Sequence, residues 1–473
     1  MEKLENGEEL VCYWKQGEGA SSPLVICLAG TEEEARECSS VLEPQLEGAS
    51  LALVVTPGED GALEESVADL VYQWQLSSNL DKNRFTLAAG VQATGLAWRL
   101  LSHYPQWFAG ACLVGGYGDP YEARALKDVP LRVVTPQEEP VQIQEGKVLA
   151  GAERLVAGLR IAGARHVEAP RDYEALQPKE AWEKAFSPQG GMMGWLLSQD
   201  RKTQFIVEWL MPGLWRMDDY FSASCYLVEG TEKALLIDTG MGDGDLLGLA
   251  SSLTTLPIEV AVTHPHLDHM HWIDRFSKVY LHKDDIGPVQ ADPGKYPMAV
   301  RGADAPLPQF LPLEEGTQID LGGGVVIETL ELPGHTAHSV VFVDDYHRCL
   351  FTGDAIGSGD VVLLICPEKE AMELTARYRD TLKGFVSHHL PRLRDYAWMG
   401  GHSIQENGCD PRCQQHYLQG RSLVFNPLRE RVLQDMIALC DGLLSGEVHW
   451  QQEPIHLEYH CELGCAGINF RFL

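Results

Sequence analysis

No apolar run in this chain approaches the roughly 20 residues that a helix needs to cross a bilayer. The opening MEKLENGEELVCYW has no basic segment followed by an apolar stretch, so it does not read as a secretory signal, and a cytoplasmic protein is expected. Basic residues are few: 37 Lys and Arg stand against 68 Asp and Glu, for a net charge of −31. A surface of that sign repels phosphate backbones and anionic lipid headgroups, which argues against nucleic-acid and membrane partners and leaves a small-molecule substrate. The acidic residues form no long block, and neither an internal repeat nor a low-complexity tract is visible. Twelve cysteines scattered through 473 residues fit reduced thiols better than a disulfide framework. At this length two or three domains are expected, and 45% apolar residues suffice to build their cores.

What the chain does have is THPHLDH, Thr263 to His269. His264, His266, Asp268 and His269 are all metal-binding types, with Thr263 available as a brace. Two imidazoles two residues apart, then a carboxylate and a third imidazole, cannot share one ordinary core face. On an extended turn they can point into one cavity and divide between two cations. Imidazole nitrogen with carboxylate oxygen suits zinc, and also iron or manganese. Three further donors lie downstream, each where a strand hands the chain to a loop: His335 in LELPGHTAHS, Asp354 in CLFTGDA and His402 in WMGGHS. Each alone reads as a turn residue; their order and spacing together do not.

This pattern resembles the metallo-β-lactamase superfamily: H-x-H-x-D-H, then a distant His, a distant Asp and a final His, over residues from about 203 to 473. The upstream LLIDTG, with Asp238, resembles the family's first motif. The resemblance implies that His264, His266 and His335 hold a first metal. It places Asp268, His269 and His402 on a second, Asp354 as the bridge, and Asp238 as a support behind the histidine loop. The glyoxalase II-like branch shares this ligand set. The implied cofactors are two divalent ions, zinc foremost, and the implied nucleophile is the hydroxide they hold, since a cation lowers the pKa of bound water from about 15.7 toward 7. Asp268 is the candidate catalytic group, orienting the water or taking a proton. His271 and His338 depart from the family's usual glycines and Pro-Gly. They read as substrate contacts or as surface and supporting histidines.

One cysteine pattern stands apart. Cys409 with Cys413 and Cys461 with Cys465 form two C-x3-C pairs, which read either as a thiolate zinc site or as two surface thiol pairs.

The front of the chain alternates strand and helix. SPLVICLAG, LALVVTP, RFTLAAG, ACLVGG and LRVVTP read as strands, and LEESVADLVYQWQLSS and AERLVAGLRIAG as helices. That alternation predicts a mostly parallel sheet covered on both faces. Residues 1–200 resemble the α/β-hydrolase fold, its small esterase branch in particular, through NRFTLAAG, HYPQWFAGACLVGGYGDP and WLLSQ. The family's G-x-S-x-G elbow aligns with Gly90-Val91-Gln92-Ala93-Thr94, so Gln92 stands where the serine belongs. The acid falls near Glu138 or Glu139. The late histidine belongs near APRDYEAL, which has none; His166 is too early. A nucleophile without a base gains little. The front domain therefore reads as catalytically inactive, left to support a homo-oligomer, cover the metal cleft or bind a ligand.

The expected organisation is α/β plus α+β. A doubly wound α/β-hydrolase-like domain spans 1–200, and an αββα metallo-β-lactamase sandwich with the catalytic centre spans 201–473. The expected function is metal-dependent hydrolysis of a small ester, thioester, lactone or phosphoester. The alternatives are an iron-dependent oxidoreductase of the same fold and a noncatalytic binding protein. His266 argues against the flavin-linked diiron branch, which has Glu there.

Overall fold

The computed structural model describes residues 2–5, 10–57, 61–90, 92–136, 142–144, 147–219, 223–291, 307–358, 361–402, 428–452 and 458–473. Glu138, Glu139, Cys409 and Cys413 lie outside them, as do Val91 and most of the Pro/Gly-rich stretch before Gln309. The chain divides into two compact units between Arg201 and Lys202.

The first unit is built on an eight-stranded sheet. Its order is Glu2–Glu5, Val11–Lys15, Ser50–Val55, Ser22–Ala29, Leu80–Ala89, Gly110–Val114, Leu131–Val134 and Val167–Glu168. Val11–Lys15 is antiparallel to both neighbours; from Ser50–Val55 onward every pairing is parallel. The strand SPLVICLA shows why both faces are covered. Successive side chains alternate sides. Leu24, Ile26 and Leu28 enter one core with Val67, Val71, Leu96 and Leu155; Val25, Cys27 and Ala29 enter another with Ala35, Cys38, Trp182 and Met193. A run that is apolar at every position is buried on both sides, which is the mark of a parallel sheet between helices. The pairing of Tyr117–Gly118 with Lys147–Gly151 and Gln142–Gln144, and the two strands before Ser22, have no counterpart in the sequence reading.

In the second unit two sheets face each other. The larger holds seven strands, Ile206–Met211, Leu214–Asp218, Ser224–Glu229, Ala234–Ile237, Ile258–Ala261, Lys278–His282 and Gln309–Leu313. The smaller holds Gln318–Asp320, Val326–Glu331, Val340–Asp344, Cys349–Gly353 and Ala397–Gly400. Between them lie Tyr226, Val228, Leu235 and Ile237 from one side and Ile327, Val340, Phe342 and Phe351 from the other. Alternate residues turn outward. Leu227, Leu236 and Val260 meet Leu246, Met270 and Ile273, while Val341, Val343 and Leu350 meet Tyr378, Leu382 and Phe385 of helix Ala371–His388. The expectation of two sheets is corrected by a third. Val361–Cys366 runs parallel to Ala466–Phe472, which pairs with Tyr459–Leu463 and, through it, Gln451–Gln452. Helix Glu430–Ser445 packs its Leu433, Met436 and Leu439 into the same core.

Phe342 is fully buried between the two facing sheets. Phe342→Ala removes a large ring from a core that cannot close over the gap. It is expected to lower the second unit's unfolding free energy by roughly 3–5 kcal/mol, read from the urea midpoint; a cost below about 1 kcal/mol would mean the ring is not packed there.

Candidate metal centre

The centre begins with one acid. Asp238 follows strand Ala234–Ile237 with a left-handed φ of 60°, a conformation that Asp and Asn tolerate better than other non-glycine residues. Its carboxylate takes three donors. The Thr263 amide reaches Oδ1 at 2.8 Å, the Thr263 hydroxyl reaches Oδ2 at 2.8 Å, and His269 Nδ1 lies 2.9 Å from Oδ2. Thr263 Oγ1, having donated to Asp238, accepts from His264 Nδ1 at 3.0 Å. These bonds fix tautomers: both imidazoles carry their proton on Nδ1 and present Nε2.

The other donors are placed by equally local means. His266 caps the short helix Leu267–Met270, which carries Asp268 and His269. His335 sits in the Pro-Gly turn, and its Nδ1 donates to the Leu363 carbonyl at 2.6 Å, again leaving Nε2. The Tyr378 ring lies so close to Gly334 that a Cβ there would fall 2.1 Å from Cδ2. Asp354 follows strand Cys349–Gly353, where Gly353 has φ 46° and leaves no space between its Cα and Thr263. His402 follows Ala397–Gly400. Its backbone bridges to Ala223, and its amide reaches the Ser358 carbonyl at 3.3 Å.

Seven side chains converge in this way. His335 Nε2 is 3.1 Å from His264 Nε2 and 2.9 Å from His266 Nδ1. Around the second focus, Asp268 Oδ2 is 3.1 Å from His402 Nε2 and 3.7 Å from His269 Nε2. Asp354 spans both: Oδ1 is 3.6 Å from His269 Nε2, and Oδ2 is 3.7 Å from His335 Nε2 and 3.6 Å from His402 Nε2. A tetrahedral zinc about 2.1 Å from each donor sets those donors about 3.4 Å apart, within the observed spread. His269 Nε2 and Asp354 Oδ1 are buried with no hydrogen-bond partner, a costly state for groups that only packed. Donor chemistry, spacing and the two orphaned atoms fit divalent cations, zinc in particular.

The electrostatics divide the centre. Burial pushes His264 well below the usual imidazole range and His266 down to about 3, and it lowers His335 as well; these three are neutral, as ligands must be. For Asp268 and Asp354 burial acts upward, but the facing imidazoles of His269 and His402 hold both carboxyls well below their ordinary range. Burial likewise opposes charge on His269 and His402, yet Asp268, Asp354 and Asp238 raise His269, and Asp354 and Asp268 raise His402 to about 10. Protons there balance the carboxylates, and a cation would take over that charge.

Neither His271 nor His338 joins these two donor groups. His271 ends the short helix with its ring edge-on to Trp272, while His338 pairs with Asp285 and stacks on His282. Gln92 stands in the first unit ahead of helix Thr94–His103, exposed, its amide oxygen 2.5 Å from where a Cβ on Gly30 would be. Of the cysteine pairs, Cys461 is bonded to the Ile468 carbonyl and Cys465 to Asp435.

Two residues escape the sequence reading. Asp219 is buried, and its carboxylate accepts amides from Ala223 at 3.0 Å, Met241 at 2.7 Å and Gly242 at 2.8 Å. It thereby ties the turn after Asp238 to the segment that bridges His402. A Cβ on Gly401 would fall 2.1 Å from Asp354 Oδ1, so only glycine fits there. The doublets Asp218-Asp219 and Gly400-Gly401 are the only sequence signals for either.

Asp238→Asn keeps the left-handed backbone but cannot accept from all three donors. Zinc affinity, measured by competition with a chromophoric chelator, is expected to fall 10–100-fold, the usual cost of losing a group that orients ligands. Unchanged affinity would remove Asp238 from that role.

Residues 218–389 match the model of the Metallo-beta-lactamase superfamily. Curated relatives include the acyl-coenzyme A thioesterase MBLAC2 of Gallus gallus, 25% identical over 166 residues, covering 30% of this chain and 60% of that protein. Another is the lactamase-like protein ptaB of Pestalotiopsis fici, 28% identical over 173 residues, covering 35% and 47%. The chain thus spans about half to three-fifths of the length of these relatives. Among solved structures, a metallo-beta-lactamase of Cronobacter sakazakii with a HARLDQ motif aligns at 12% identity and TM-score 0.37, covering 51% of this chain and 88% of that one. Residues 218–389 of this chain form a domain of the metallo-beta-lactamase superfamily.

Proposed function

We propose that this protein is a metal-dependent hydrolase of a small ester, thioester, lactone or phosphoester, with a thioester foremost. The observation that carries the reading is the convergence of seven side chains in overlapping donor groups, with Asp354 near both His335 and His402 and with His269 Nε2 and Asp354 Oδ1 buried without a hydrogen-bond partner. In this reading His264, His266 and His335 hold one cation, Asp268, His269 and His402 a second, and Asp354 both. Such cations lower the pKa of coordinated water from about 15.7 toward 7 and polarise the carbonyl or phosphoryl group attacked. The chain's own groups do the rest. Asp238 and the Leu363 carbonyl hold three imidazoles in the tautomer that presents Nε2. Asp268, more exposed than Asp354, orients the attacking water or takes its proton. The thioester preference rests on the printed activity of one curated relative, an acyl-coenzyme A thioesterase.

We infer that the first unit, spanning about residues 1–200, is an α/β-hydrolase-like domain without a catalytic triad. Its parallel sheet and the helix beginning at Thr94, just beyond the end of strand Leu80–Ala89, support that fold. Gln92 at the elbow and the missing late histidine support its inactivity: an amide oxygen is no comparable nucleophile.

A panel of acyl-coenzyme A thioesters, aryl esters, lactones and phosphodiesters, assayed with zinc-loaded protein, tests both halves. His266→Ala is expected to lower kcat/KM by on the order of 100-fold or more, since Lewis-acid assistance contributes several kcal/mol. Gln92→Ala is expected to leave it unchanged. Equal turnover by His266→Ala and the parent would place the chemistry elsewhere.

A further inference from the structure

A separate group of donors gathers at the end of strand Lys278–His282. His282 closes that strand and is buried, and its Nε2 lies 3.2 Å from Glu331 Oε1. His338 stands three residues beyond His335, and its Nδ1 lies 2.8 Å from Oδ1 of buried Asp285. Each imidazole is therefore backed by a carboxylate on one nitrogen. The proton belongs on that nitrogen, and the lone pair belongs on the other: Nδ1 of His282 and Nε2 of His338. This is how a histidine is prepared to bind a metal, with a carboxylate fixing its tautomer and ring orientation. Asp284 supplies a third donor. Its carboxylate is exposed, and its Oδ2 lies 3.9 Å from His282 Nδ1. One ligand atom from each of His282, Asp284 and His338 lies within 4.8 Å of the other two. The Asp284 amide also reaches His282 Nδ1 at 3.3 Å, a long contact for a hydrogen bond.

We propose that His282, His338 and Asp284 form a third cation site, mononuclear and of the zinc type, with Glu331 and Asp285 orienting the two imidazoles. Two nitrogens and one oxygen make a tetrahedral set with one position left for water. The rings now lie parallel, 8° apart with centroids at 4.8 Å, so their lone pairs do not yet meet. The His338 side chain is 34% exposed and can turn about its bond to Asp285, and the exposed Asp284 can close the remaining gap. A cation here joins the strand end at His282 to the turn that carries His335, already braced by the 2.7 Å contact between Thr336 Oγ1 and Ser339 Oγ. The site shares no residue with the seven donors described above and stands independently of the proposed hydrolase reaction.

The test is zinc stoichiometry on the full chain, by equilibrium dialysis against a zinc series followed by elemental analysis. His338→Ala and Asp284→Asn are each expected to hold one zinc fewer per chain than the parent at saturation. The same difference of one is expected when each is combined with His266→Ala, which acts on the other centre. Asp284 is exposed, so Asp284→Asn decides the matter even where His338→Ala destabilises the fold. Equal zinc in the parent and Asp284→Asn, in both backgrounds, would overturn the site and reduce the cluster to an ion-pair network.

Discussion

The carboxylate of Asp238 is the point through which the candidate metal centre is organised. It accepts the Thr263 amide, the Thr263 hydroxyl and the His269 ring at once. Through the Thr263 hydroxyl it also sets His264. Three residues of the loop, Thr263, His264 and His269, are thus oriented by one side chain that binds no cation in the proposed scheme. The Thr263 carbonyl meanwhile accepts the Val340 amide of the opposite sheet at 2.9 Å, which anchors the loop to the strand that follows His335. Without this frame His264 and His269 would lose the bonds that hold the proton on Nδ1 and turn Nε2 toward the other donors.

The frame makes chemical sense as a balance of charge. One group of donors, His264, His266 and His335, is neutral because it is buried among other imidazoles. The other sets two carboxylates against His269 and His402, whose protonation burial opposes. Divalent cations satisfy both halves, meeting the neutral nitrogens with lone-pair acceptance and the carboxylates with positive charge.

The candidate donors are legible in the sequence because THPHLDH packs four metal-binding types into a stretch that no single core face can hold, and because His335, Asp354 and His402 each follow a strand. The parallel sheet of the first unit is legible because SPLVICLA and LALVVTP are apolar at every position, as strands buried on both faces must be. Other features are hidden for identifiable reasons. Asp219 is hidden because its partners, Ala223, Met241 and Gly242, are bound through backbone amides, which no side-chain pattern reveals. The third sheet is hidden because Val361–Cys366 pairs with Ala466–Phe472, about a hundred residues away. His338 sits beside a ligand loop in sequence yet turns to Asp285 and His282 in space, through partners more than 50 residues distant.

The most direct measurement is anomalous diffraction at the zinc edge from crystals of the zinc-loaded chain. Two peaks are predicted inside the centre, one among His264, His266 and His335 and the other among Asp268, His269 and His402, with Asp354 between them. A zinc-saturated crystal with no anomalous density among those seven side chains would contradict the proposed dinuclear centre.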